Sequence, residues 1–314
     1  MTGLSDAAVR RLKTVGNWPE FPTGRYAALQ EIGRGGMGTI YLARDEELGR
    51  EVAIKIPNAL ASSVMDRRLQ SEARALASLE HPGIVPIHDA GRLADGRIFY
   101  VMKRLEGRTL DEYLDSVADV GERLRVFERL CDPVAFAHAR GIVHRDLKPE
   151  NVMVGAFGEV MVLDWGLATN VGEQGDTGSV IGTRGFMAPE QARGEAIDER
   201  ADVYALGAIL FLLLTDVPPG SGRDTAAALA ARQVPRPLRA ICAKALSPDA
   251  NARYRSVREV GEDVARYRAG GAVQAHRETL LEKAVRVGRA YRTAILLVLG
   301  YILMRTLVAL WAGW

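Results

Sequence analysis

Apolar positions alternate with a period of two through much of the first third of the chain and recur every three to four residues from Leu110 onward. The pattern predicts a strand-rich part followed by a helical one. Strands are expected over 26–32, 39–43, 81–86 and 96–102, with 103–107 as the connector into the helical half. In 51–56 the alternation puts Val52, Ile54 and Ile56 on one face and Ala53 with Lys55 on the other. A helix is expected over 66–79, where Leu69, Ala73, Leu76 and Leu79 make an apolar stripe that also carries Glu72. A carboxylate facing a core requires a cation, and Lys55 is the candidate. A longer helix over 122–140 has Leu124, Phe127, Leu130, Cys131, Val134 and Ala137 in step, and Gly141 ends it. His138 on that helix reads as a packing or hydrogen-bonded side chain. Short apolar strands over 152–154 and 160–163 follow, and then a Gly-, Ser- and Thr-rich stretch over 170–182 that reads as a loop. Ahead of the first strand, 4–15 reads as a short amphipathic helix in a lead-in arm, broken at Pro19 and Pro22.

The end of the chain departs from this pattern. Residues 269–272 form a Gly-containing linker, and 274–292 read as a polar helix in which Lys283, Arg286, Arg289 and Arg292 recur every three residues. The next stretch, 293–311, is apolar except for Thr293, Arg305 and Thr306. As a helix it would be roughly 28 Å long, close to the thickness of a bilayer hydrocarbon core. Its Leu, Ile and Val side chains together favour insertion by about 3–6 kcal/mol, against about 3 kcal/mol for one central Arg. A membrane anchor is therefore expected, with Trp311 and Trp314 at the far interface; a hydrophobic helix that dimerises in solution is the alternative.

Charge changes the picture only once it is divided. The whole chain is +2, but residues 273–314 hold six Lys/Arg against two Glu, which leaves the body slightly acidic. That is not a nucleic-acid-binding profile, whereas a basic tail suits anionic lipid. Basic residues before the apolar stretch place the body in the cytoplasm. Cys131 and Cys242 lie far apart with no metal-like spacing, so buried free thiols are expected. Met1 to Trp18 lacks the continuous apolar core of a signal peptide.

Candidate chemistry concentrates in 142–151, which reads I-V-H-R-D-L-K-P-E-N. It places a carboxylate (Asp146), a cation (Lys148) and a carboxamide (Asn151) on one short loop. Asp can take a proton, Lys can sit on a phosphate, and Asn can offer a carbonyl oxygen to magnesium. These are parts of a phosphoryl-transfer site. Gly33, Gly35 and Gly38 make G-x-G-x-x-G, whose backbone N–H groups can approach a polyphosphate. A strand follows that loop where a dinucleotide-binding fold would start a helix. Asp164 ends a strand beside the Asn151 loop and suits a second magnesium ligand.

Taken in order, Gly33-x-Gly35-x-x-Gly38, Val52-Ala53-Ile54-Lys55, Glu72, His144-Arg145-Asp146 with Asn151, Asp164-Trp165-Gly166 and Ala188-Pro189-Glu190 resemble the eukaryotic-type protein kinase family. The L-D-W-G-L-A string looks most like bacterial members. The resemblance implies an α+β, two-lobed protein kinase fold with a small β-rich N-lobe and a larger helical C-lobe. It divides the chain into an arm (1–25), a kinase domain (26–268, with lobes 26–102 and 105–268), a basic juxtamembrane segment (269–292) and a transmembrane helix (293–312). It implies ATP and Mg²⁺ as cofactors. Gly33, Arg34, Gly35, Gly36 and Gly38 would cover the phosphates; Ile40 and Ala53 would roof the adenine and Met153 floor it. Met102 would be the gatekeeper, with Lys103 to Leu105 offering backbone hydrogen bonds. Lys55, held by Glu72, would grip the α- and β-phosphates. Asp146 would orient the substrate hydroxyl and accept its proton, Lys148 would steady the γ-phosphate, and Asn151 with Asp164 would hold magnesium.

The resemblance further implies that Asp202 braces the catalytic loop, that Arg253 pairs with Glu190, and that Thr177 and Ser179 are activation-segment acceptors. Lys148 and Thr183 look like the serine/threonine branch. The implied partners are protein substrates and the membrane, with self-association and autophosphorylation open to such a chain. Trp165 stands where Phe is usual, Lys103 where an acid is frequent, and 215–238 is short and Pro/Gly-rich where the family has a longer helical region. A nucleotide-binding scaffold without catalysis and a small-molecule kinase of similar fold are the competing functions.

Overall fold

The computed structural model describes residues 19, 21, 24–35, 38–57, 73, 76–165, 169–170, 185–220 and 224–312. The lead-in helix over 4–15 and the expected site residues Gly36, Glu72, Thr177, Ser179 and Thr183 lie outside them, as do most of 66–79 and Trp314.

Five antiparallel strands form the first sheet: β1 (Tyr26–Arg34), β2 (Thr39–Asp45), β3 (Arg50–Ile56), β4 (Ile87–Arg92) and β5 (Ile98–Lys103), in the order β1-β2-β3-β5-β4. The central position of β3 explains its composition. Val52, Ile54 and Ile56 pack with Tyr26, Ala43, Phe99 and Val101 in a core belonging to this lobe. On the opposite face Ala53 and Lys55 are buried as well, so β3 is covered on both sides. Register sets Ile40 opposite Lys55 and Ala53 opposite Met102. Phe21 of the lead-in packs edge-on against Phe99, with ring centroids 5.1 Å apart.

One expected strand is absent: 81–86 is a turn carrying a single bridge from Ile84 to Val162, and β4 begins only after Pro86. Pro82 and Pro86 have no N–H to give a ladder, and the Ile84 amide closes a turn on the His81 carbonyl.

The second lobe is helical, with α1 (Leu110–Leu114), α2 (Val120–His138), α3 (Pro189–Ala192), α4 (Arg200–Thr215), α5 (Thr225–Ala231), α6 (Arg236–Ala245) and α7 (Val257–Arg268). Asp119 caps α2 by accepting from the Glu122 amide at 2.7 Å. The stripe Leu124, Phe127, Leu130, Cys131, Val134 and Ala137 faces the main core. Helix α4 is apolar nearly all round and buried along its length, so it is the central post of the lobe. Short strands β6 (Arg108–Thr109), β8 (Val152–Val154) and β9 (Val160–Val162) form a three-stranded sheet, and β7 (Ile142–Val143) pairs with β10 (Thr169–Asn170). Both cysteines are buried and free, and burial pushes both thiols up.

The tail differs from the single helix expected over 274–292. Helix α8 (Leu280–Ala290) starts later, and Tyr291 separates it from α9 (Arg292–Ala312). The start is set by a capping box: the Glu282 amide donates to Thr279 Oγ1 at 3.2 Å, and the Thr279 amide donates to Glu282 Oε2 at 2.8 Å. Upstream, Asp263 accepts from the Gln274 and Ala275 amides at 2.8 and 3.0 Å, and this pins 274–275 to α7. The large apolar side chains of α9 from Ile295 to Val308 are exposed. Among the described residues, no helix is long and apolar enough to cross a membrane.

Candidate active site

The catalytic loop is held from beneath by one carboxylate. Asp202, in the first turn of α4 and fully buried, accepts from the His144 amide at 2.8 Å and the Arg145 amide at 2.9 Å. His138 Nε2 meets the same carboxylate at 2.7 Å, so the expected hydrogen-bonded histidine is part of this brace. Burial works to raise the Asp202 carboxyl, but His138 and the loop amides outweigh it and hold it below the usual range. Arg145 takes φ +69°, a left-handed turn that an L-residue keeps only when its surroundings enforce it. Gln191 supplies part of that enforcement, donating from Nε2 to the Arg145 carbonyl at 2.6 Å.

The His144 ring is a spacer between two chemical segments. Its Nδ1 accepts from the Asp146 amide at 3.2 Å, so the proton belongs on Nε2, which donates to the Leu163 carbonyl at 2.9 Å. Its flank meets Trp165, whose ring centroid is 4.7 Å away. Trp165 is fully buried, so the aromatic exchange at this position is accommodated by packing.

Asp146 sits with Lys148 Nζ 3.0 Å from Oδ2 and with Asn151 Nδ2 donating to its main-chain carbonyl at 2.8 Å. Pro149 starts the short 3-10 turn that brings Asn151 back over Asp146. Because the Asn151 NH₂ is spent on Asp146, its carbonyl oxygen is the atom left for a cation. The Leu163 amide donates to the Asn151 main-chain carbonyl at 2.8 Å, which ties the loop to the segment bearing Asp164.

Asp164 is a second non-glycine in the left-handed region, at φ +56°. Lys55 Nζ lies 2.7 Å from Asp164 Oδ1, across the two lobes. Burial would raise the Asp164 carboxyl, yet the Lys55 ammonium, with a contribution from Lys148, holds it below its ordinary value. Glu72, the expected partner of Lys55, lies outside the described residues, and the Asp164 contact was not foreseen.

In the glycine loop the Gly35 amide donates to the Gly38 carbonyl at 2.9 Å. A Cβ on Gly38 would stand 2.5 Å from the Ile56 carbonyl oxygen, so only glycine fits there. Arg34 forks onto Glu31 of the same strand, at 2.8 and 2.7 Å, which leaves its backbone for any phosphate contact. Ile40, Met102, Leu105 and Met153 are half-buried, Ala53 is buried and Lys103 exposed; β5 extends through Lys103, one residue past the expected end.

Farther out, Arg253 grips Glu190 through two hydrogen bonds of 2.6 and 2.7 Å between buried groups, as expected. Among the described residues no cluster of three His, Cys, Asp or Glu side chains forms a metal centre. The Asp164 carboxylate and the Asn151 amide oxygen, on segments joined by the Leu163–Asn151 main-chain hydrogen bond, are hard oxygens of the kind that magnesium takes. The residues present fit that ion.

Residues 26–269 match the family model of the protein kinase domain. The chain belongs to the protein kinase family. It is 35% identical over 286 residues to the serine/threonine-protein kinase PknD of Chlamydia pneumoniae, covering 76% of this chain and 31% of that protein. It is 37% identical over 263 residues to the serine/threonine-protein kinase PrkC of Bacillus subtilis, covering 77% and 40%. With PknB of Mycolicibacterium smegmatis the identity is 35% over 282 residues, covering 82% and 45%. The chain thus spans less than half the length of these curated relatives. A β-sheet lobe, a helical lobe and the named loop residues between them make up this kinase domain.

Sequence reasoning missed two contributors, Gln191 and the Lys55–Asp164 contact. Gln191 adjoins Ala188-Pro189-Glu190, and that adjacency is the only signal it left. The Lys55–Asp164 pairing depends on how the lobes close, which no local pattern reports.

Proposed function

We propose that this chain is a protein-serine/threonine kinase, transferring the γ-phosphoryl group of ATP to Ser or Thr hydroxyls of proteins, and that α9 holds it at the cell membrane with the kinase domain in the cytoplasm. The observation that carries the catalytic reading is the Asp146–Lys148–Asn151 cluster, set on a loop that Asp202 braces, opposite Lys55 and Asp164. Asp146 accepts a hydrogen bond from the substrate hydroxyl and takes its proton as the oxygen bonds to the γ-phosphorus. The bridging bond to ADP breaks in the same displacement. Lys148 steadies the transferring group, and Lys55 grips the α- and β-phosphates. Asn151 and Asp164 would hold Mg²⁺, whose chemistry here is to neutralise phosphate charge. Positioning and charge compensation supply most of the rate enhancement. The names of the relatives and the Lys148 position support Ser/Thr over Tyr. The chain's own Thr177 and Ser179 are candidate acceptors.

What supports the membrane reading is the backbone of α9, 21 residues long and thus roughly 31 Å, with an apolar sequence preceded by basic residues. Arg305 within it reaches the Tyr301 hydroxyl at 3.4 Å, a partner on the same helix.

The deciding experiment is phosphate transfer from ATP–Mg²⁺ to a protein substrate. Asp146→Asn should abolish transfer, and Lys55→Met should nearly do so. Unchanged activity in both variants would refute the assignments.

A further inference from the structure

Helix α8 is amphipathic in the reverse of the usual sense. Its charged side faces the kinase body: Glu282 Oε1 lies 3.7 Å from Arg236 of α6, and Glu282 Oε2 lies 3.2 Å from His276. Arg286 forks onto Glu278 at 2.7 and 2.9 Å. The apolar side looks outward, with Leu280 88% and Leu281 79% exposed and Val285 and Val287 also exposed. At 3.6 residues per turn these four share one arc with Ala284, and Lys283 stands at its rim.

The helix does not hang from a slack linker. Val273 is buried in the C-lobe core, and Asp263, fully buried, receives the Gln274 and Ala275 amides together with the Tyr254 hydroxyl and the Arg266 guanidinium. The chain is thus fastened to the body up to Ala275, and the Glu282–Arg236 pair turns the apolar arc of α8 outward. That arc meets the apolar surface of α9 after one residue, Tyr291, and lies within the basic end of the chain. Apolar continuity and positive charge both match an anionic lipid surface.

We propose that α8 is a second, peripheral membrane contact, in which Leu280, Leu281, Val285 and Val287 enter the headgroup boundary of an anionic bilayer while Glu282 and Arg286 keep the opposite face on the kinase body. The proposal rests on the membrane reading of α9 and adds to it that the bilayer fixes the orientation of the body.

The native cysteines are buried, so an added surface cysteine reports alone. Full-length Leu281→Cys and, as a remote control, Phe157→Cys are placed in nanodiscs and labelled with a water-soluble maleimide; Phe157 is 91% exposed in the β8–β9 turn. In discs containing phosphatidylglycerol, Leu281→Cys should react roughly tenfold more slowly than Phe157→Cys, and pure phosphatidylcholine discs should restore much of its rate. Leu280→Cys should behave alike. Equal rates for the two sites in disc-bound protein overturn the proposal and leave the α9 anchor standing. Failure of the chain to enter discs overturns both. Equal slowing in both lipids, with two chains per disc, assigns the arc to a second copy instead and overturns the lipid contact.

Discussion

The carboxylate of Asp202 does at one point what a longer loop would need several side chains to do. It receives two consecutive main-chain amides and His138 in a fully buried setting. Asn at this position offers one acceptor oxygen and turns an NH₂ toward an N–H donor, which strands a buried group at about 1–3 kcal/mol. Asp202→Asn should therefore lower the melting temperature, by roughly 2–4 °C per kcal/mol for a body of this size. The sign with pH follows from the depressed carboxyl. The stabilisation is fully present above the unfolded-chain value, about 3.9, and is lost as pH falls through the lower native one. Thermal melts from pH 3 to 7 should show an acid limb that is shallower in Asp202→Asn; identical limbs would remove Asp202 from the account. At this scale much was legible in advance. Lys55, Asp146, Asn151, Asp164 and the Glu190–Arg253 pair stand in an ordered series of motifs. A side-chain amide bonded to a carbonyl, as Gln191 to Arg145, leaves neither periodicity nor charge in the sequence to be read.

At the scale of elements, the strands and helices formed where periodicity was strong and misled where it was not. The run 81–86 is apolar enough for a strand, but two prolines deny it a ladder. The polar helix expected from 274 begins only at Leu280, because a capping box at Thr279 and a buried carboxylate on α7 decide where it starts. Interactions between elements weigh more than the pattern within one. Arg253 shows this: besides Glu190 it donates to the carbonyls of Ser247 and Arg200, so it joins α3, α4 and the turn before α7. Removing one partner of a buried pair leaves an uncompensated charge, at about 3–5 kcal/mol. Arg253→Ala should lower the unfolding free energy by that amount in a urea titration, moving the midpoint down at unchanged slope; a loss under about 1 kcal/mol would mean the pair is dispensable.

The described residues form two cores, one between β3 and its neighbours and one around α4, and Lys55 of the first lobe meets Asp164 of the second. That division was legible from the change of period near Leu110, whereas the closeness of Lys55 to Asp164 was not, because closure of two lobes is a property of neither. The anchored reading is tested at this scale by fractionation. Full-length protein should sediment with membranes and a 1–290 truncation should remain in the supernatant; equal solubility of the two would sink it. The pinned tail then bears on something other than stability. With 274–275 fastened to Asp263 and a single residue parting α8 from α9, an anchored body has no leash. It would sweep only a shallow layer above the lipid, where a target confined to the same surface is met at an effective concentration of the order of millimolar. A dissolved protein carrying the same acceptor sequence would have to wander into that layer. Choice of target would then depend on address before it depended on sequence.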